Sequence, residues 1–78
     1  MTDLKFLHRM EYLVHLIKTK ATGSPRELAR KLEVSERTVY GLLNMLKELE
    51  GPVCYDSLRK TYYFKNEGDF YFRFKRKD

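Results

Sequence analysis

One cysteine, Cys54, stands in the whole chain, so no internal disulfide can staple the fold. A lone thiol suits a reducing compartment, and the cytoplasm is the expected location. No apolar run approaches the roughly eighteen residues needed to span a bilayer. The start, Met1 to Lys5, lacks the basic region and unbroken apolar stretch of a signal peptide. A soluble chain with no membrane partner is therefore expected. Also missing are a phosphate-binding glycine loop, a zinc-ligand spacing, paired carboxylates and a nucleophile triad, so neither enzymatic activity nor a cofactor is expected. His8, Glu11 and His15 lie roughly on one side of a helix. Two turns part the histidines, too far to share one small ion, and no metal is expected.

What is present fits one small domain spanning all 78 residues, without repeats or low-complexity stretches. A chain this short buries about 60% of its unfolded surface, so its core is small. The net charge is +5. Residues 1–20 carry four basic and two acidic groups, residues 21–50 five of each, and residues 51–78 seven basic and four acidic. The positive excess sits at the two ends and fits a polyanionic partner, because neutralising phosphates releases counterions.

From about Leu4 to Lys20, Phe6, Leu7, Met10, Leu13, Val14 and Ile17 recur at three- and four-residue steps, predicting a helix with one apolar face. Thr2 or Asp3 can cap its start, and Tyr12 and Leu16 fall outside the stripe. Ser24-Pro25-Arg26-Glu27 has the form of a capping box with proline at the first helical position. It opens a short helix through about Leu32, with Leu28, Ala29 and Leu32 inward. Glu33-Val34 makes a tight turn, Val34 plugging the corner. Ser35 caps a third helix reaching about Leu49 or Glu50, with Val39, Leu42, Leu43, Leu46 and Leu49 inward. Gly51-Pro52 ends it, the glycine expected to take the left-handed backbone. The period then turns extended. Val53 to Asp56 and Thr61 to Phe64 read as two strands joined by Ser57-Leu58-Arg59-Lys60, with Cys54 a buried strand residue. A turn follows over Asn66 to Asp69. Phe70, Phe72 and Phe74 then alternate with Tyr71, Arg73 and Lys75 as a further strand, before a frayed end at Lys75 to Asp78.

The fold class is thus α+β: a three-helix core over about 4–50, a β-hairpin wing over about 53–65, and a C-terminal strand and tail over 66–78. Three helices and a hairpin, with a very short turn between the second and third helices, describe a winged helix-turn-helix. In that geometry the outer face of the third helix is free to enter the major groove of double-stranded DNA. Arg37, Tyr40, Gly41, Asn44 and Glu48 fall there, with Lys47 beside them. Arg37 can pair with guanine or clamp a phosphate, and Asn44 can pair with adenine. Ser35 and Thr38 offer hydroxyls near the helix N-terminus, where amides favour phosphate. Tyr40 can touch a phosphate or a thymine methyl, and Gly41 allows close approach. Arg59 and Lys60 supply cations at the wing tip, and Arg26 and Arg30 share one face of the second helix beside the groove.

The stretch from Gly23-Ser24-Pro25-Arg26-Glu27-Leu28-Ala29 through Val34-Ser35 to Arg37-Thr38-Val39-Tyr40 resembles the helix-turn-helix module of WYL-domain and related bacterial transcription regulators. The resemblance runs over roughly residues 10–65, including Leu46-Lys47-Glu48-Leu49, Gly51 to Asp56 and Tyr62-Tyr63-Phe64. It implies DNA binding and transcription regulation. The family usually carries an Arg-Asp pair directly after the tyrosine, where Gly41-Leu42 stands here, removing an arginine contact. The family's effector-binding domain is not expected on this chain, nor a small-molecule effector.

Two matters stay open at this level. The aromatic strand after Phe70 either completes the sheet or pairs with a second copy, giving a homodimer whose two third helices read neighbouring half-sites. The balanced charge of residues 21–50 and Gly41-Leu42 also fit a protein-interaction module that kept the winged fold but lost DNA contact.

Overall fold

The computed structural model describes residues 4–68. The expected cap at Thr2 or Asp3, the strand after Phe70 and the tail lie outside the described residues. Three helices precede one antiparallel hairpin: α1 (Leu4–Lys18), α2 (Pro25–Leu32), α3 (Glu36–Glu48), β1 (Val53–Asp56) and β2 (Thr61–Phe64). This is an α+β architecture consistent with a winged-helix layout. No helix among the described residues is long and apolar enough to cross a membrane. None of their His, Cys, Asp and Glu side chains gather in a group of three or more able to hold a metal.

The α2 start is built as its sequence directs. The Ser24 hydroxyl accepts from the Glu27 amide at 3.2 Å, and the Glu27 carboxylate accepts from the Ser24 amide at 3.2 Å. Gly23, at φ +73°, sits against this pair; a Cβ there would come within 2.9 Å of the Glu27 carboxylate. Ser35 caps α3, its hydroxyl accepting from the Thr38 amide at 3.1 Å.

All three helices end the same way. The backbone turns left-handed at Lys20, Glu33 and Glu50, with φ of 56°, 57° and 68°. The following amide reaches back to the helix: Ala21 to the Leu16 carbonyl, Val34 to Ala29, and Gly51 to Leu46. Each is a Schellman closure that satisfies the last carbonyls. The left-handed residue at the end of α3 is therefore Glu50, not Gly51; the glycine occupies the next position, whose amide completes the motif. Leu49 then lies past the end of α3 in the reversing turn, and it is 58% exposed rather than inward.

The core gathers Met10, Leu13, Val14, Leu16 and Ile17 from α1, Leu28, Ala29 and Leu32 from α2, Val39, Leu42, Leu43 and Leu46 from α3, and Val53 and Tyr62 from the hairpin. Phe6, Val34 and Phe64 pack against it partly buried. Leu16 departs from expectation by being buried, while Leu7 is only half-buried. The reason is that α1 contacts both α2 and β2, so toward its C-terminal end its apolar arc is wider than one stripe. Tyr12 stays exposed. Arg9 donates from Nε to the Leu32 carbonyl at 3.2 Å, tying α1 to the end of α2.

The hairpin pairs Val53 with Phe64, Cys54 with Tyr63, Tyr55 with Tyr62 and Asp56 with Thr61. Cys54 is half-buried on this sheet rather than fully inside. At the turn, Asp56 Oδ1 accepts from the Leu58 and Arg59 amides at 3.0 and 3.1 Å, and Lys60 turns left-handed. The loop between α1 and α2 holds β2 through buried threonines. The Tyr62 amide donates to Thr22 Oγ1 at 2.8 Å, the Thr22 amide donates to Thr61 Oγ1 at 3.3 Å, and the two hydroxyls meet at 3.1 Å.

Candidate nucleic-acid interface

One side of α3 is spent on the core, with Val39 and Leu46 fully enclosed. The other side is open. Arg37, Tyr40, Gly41, Asn44, Lys47 and Glu48 are all exposed. A Cβ placed on Gly41 meets nothing within 4 Å, so nothing in the described fold requires glycine there. Met45 and Leu49 extend this surface toward the end of the helix, 40% and 58% exposed.

The expected contacts divide by how they are held. The side chains of Arg26, Arg30 and Arg37 are exposed and make no ion pair or hydrogen bond among the described residues, so their guanidinium groups are available to an external anion. Ser35 and Thr38 are partly committed: the Ser35 hydroxyl donates to Thr38 Oγ1 at 3.0 Å while accepting from the Thr38 amide. Of the two hydroxyls, Thr38 keeps its proton free for an outside acceptor. At the wing tip, Arg59 leans back to Asp56, its Nε 3.9 Å from Oδ2. Lys60 stands near Glu27, whose carboxyl is held below the usual carboxylate range, first by the Ser24 amide and hydroxyl and more weakly by Lys31 and Lys60. Of the two hairpin cations, Arg59 is thus partly opposed by a carboxylate, and both remain exposed.

Sequence reasoning named Tyr40 but passed over Tyr55 and Tyr62, the paired tyrosines of the hairpin. Tyr55 and Tyr62 are register partners on one face of the sheet, with ring centroids 4.7 Å apart and planes at 57°. Tyr62 is buried at 8% exposure, Tyr55 is 40% exposed, and Tyr40 from α3 is 50% exposed. Burial pushes the Tyr62 phenol up, helped by the neighbouring phenols of Tyr40 and Tyr55. The signal was present in the pattern, since strand pairing across a four-residue turn puts Tyr55 opposite Tyr62.

Neither a protein-family model, nor a curated protein, nor a solved structure matches the chain.

Proposed function

We propose that the chain is a winged helix-turn-helix protein that binds double-stranded DNA through the outer face of α3 and the hairpin, acting as a small transcription regulator without a cofactor. The observation that carries this reading is the uncovered face of α3. Arg37, Tyr40, Gly41 and Asn44 stand open on a helix whose opposite side is locked into the core. Unpaired guanidinium groups on α2 and α3 supply charge for phosphate, and the open glycine removes a side chain where a groove edge would approach. The test is fluorescence anisotropy with random-sequence duplex at low salt. The expected result is binding in about the micromolar range that weakens steeply with salt. Arg37→Ala lowers the affinity and reduces the salt slope by about 1. No binding at low salt overturns the reading.

A second reading has one observation in its favour. Met45 and Leu49 are exposed apolar side chains continuing the open face of α3, as a protein-docking surface requires. Recovery of a protein partner that survives nuclease and Arg37→Ala, and fails with Met45→Lys, supports docking in place of DNA binding.

A further inference from the structure

We propose that Tyr40, Tyr55 and Tyr62 form an uncharged hydrogen-bonding clamp for a phosphodiester of the DNA backbone, at the seam between α3 and the hairpin. The proposal rests on the DNA-binding reading above and adds two residues, Tyr55 and Tyr62, to its interface.

The argument begins with unspent donors. None of the three phenol hydroxyls makes a hydrogen bond among the described residues. Among the described residues no buried side-chain oxygen or nitrogen is without a partner, so the Tyr62 hydroxyl reaches the surface although its ring is enclosed. A tyrosine with an enclosed ring ordinarily finds a partner for its hydroxyl, and here that partner comes from outside the described residues. Tyr62 roots the group in the core, Tyr55 rests against it with ring centroids 4.7 Å apart, and Tyr40 stands exposed on α3, the helix that packs on β1. Burial first, and then the phenols of Tyr40 and Tyr55, hold the Tyr62 phenol above its ordinary range. The Tyr62 hydroxyl therefore keeps its proton and remains a donor.

Three neutral O–H groups at one seam suit an acceptor with several oxygens and no proton of its own. A phosphodiester is that acceptor, and it repeats along any backbone lying between a helix in the major groove and a wing. The Tyr55 ring is committed to Tyr62, which leaves its hydroxyl edge rather than its face for a ligand.

The experiment compares the wild-type chain with Tyr55→Phe and Tyr62→Phe on a random-sequence duplex across a salt series, alongside thermal unfolding without DNA. Each substitution keeps the ring and removes only the hydroxyl. The expected result is about tenfold weaker binding for each variant, the size of a lost hydrogen bond to a charged group. The salt slope stays at the wild-type value, because a phenol releases no counterion. Thermal midpoints are unchanged, since the hydroxyls have no partner inside the protein. Wild-type affinity in both variants overturns the clamp while leaving DNA binding intact, and so does a loss of affinity that tracks a lowered midpoint. A wild-type chain that does not bind at all overturns DNA binding itself and takes the clamp with it.

Discussion

Lys20, Glu33 and Glu50 each hold a backbone conformation that favours glycine, at φ between 56° and 68°. A left-handed residue with a Cβ costs roughly 1–2 kcal/mol. Glu50→Gly is therefore expected to stabilise the domain by about 1 kcal/mol, partly offset by the greater freedom of glycine in the unfolded chain. Calorimetry would show it as a midpoint rise of several degrees, roughly 4–8 °C per kcal/mol for a chain of this size. Gly41 poses the opposite case. It sits inside α3 with open space where its Cβ would be. Gly41→Ala is expected to gain about 1 kcal/mol from helix propensity alone. If the DNA reading holds, the same variant binds duplex less tightly, so stability and affinity move apart in one pair of measurements. Gly51-Pro52 marked the end of α3 correctly in the sequence, but not which residue reverses. That depends on which amide reaches back to Leu46, and a spacing argument does not specify it.

At the level of single elements, the capping box of α2 was fully legible, because every group in it lies within four consecutive residues. It also makes α2 sensitive to acid. The Glu27 carboxyl is held below its ordinary range by the Ser24 amide, so folding favours its charged form. That contribution is complete above the unfolded carboxylate range and is lost as pH falls through the depressed folded value. Glu27→Gln is expected to flatten this part of the acid loss, read as the midpoint of thermal unfolding between about pH 6 and pH 3. The strands and their turn were legible for a similar reason: aromatic and β-branched residues flank a four-residue link. The faces of α1 were read less well. Leu16 looked surplus to a single stripe because periodicity reports one packing partner, and α1 has two. Leu49 looked inward because the period was carried past Glu48, where the helix stops.

Across the whole molecule, the contact that seats the hairpin was invisible in the sequence. Thr22 and Thr61 stand 39 residues apart, and neither a loop threonine nor a strand threonine announces its partner. Thr22 is fully enclosed, and its hydroxyl receives the Tyr62 amide. Thr22→Val keeps the volume but leaves that buried amide without an acceptor. It is expected to cost about 1–3 kcal/mol, measured by urea unfolding. Thr22→Ser, which keeps the hydroxyl, should lose less. The open side of α3 was legible, since it follows from the buried side by helix geometry. Of the three tyrosines, the Tyr55–Tyr62 pairing was legible from strand register, but how that pair sits beside α3 was not, because it depends on the docking of the hairpin through these threonines and through Val53 and Tyr62 in the core.

Their position has a kinetic consequence. The helices gather mostly near neighbours in the chain, whereas seating the hairpin closes a loop of about forty residues, whose entropy is met by the Thr22–Thr61 bonds and by Val53 and Tyr62 in the core. Docking of the hairpin is thus the long-range step of folding, slower to form than the local pairing of neighbouring helices.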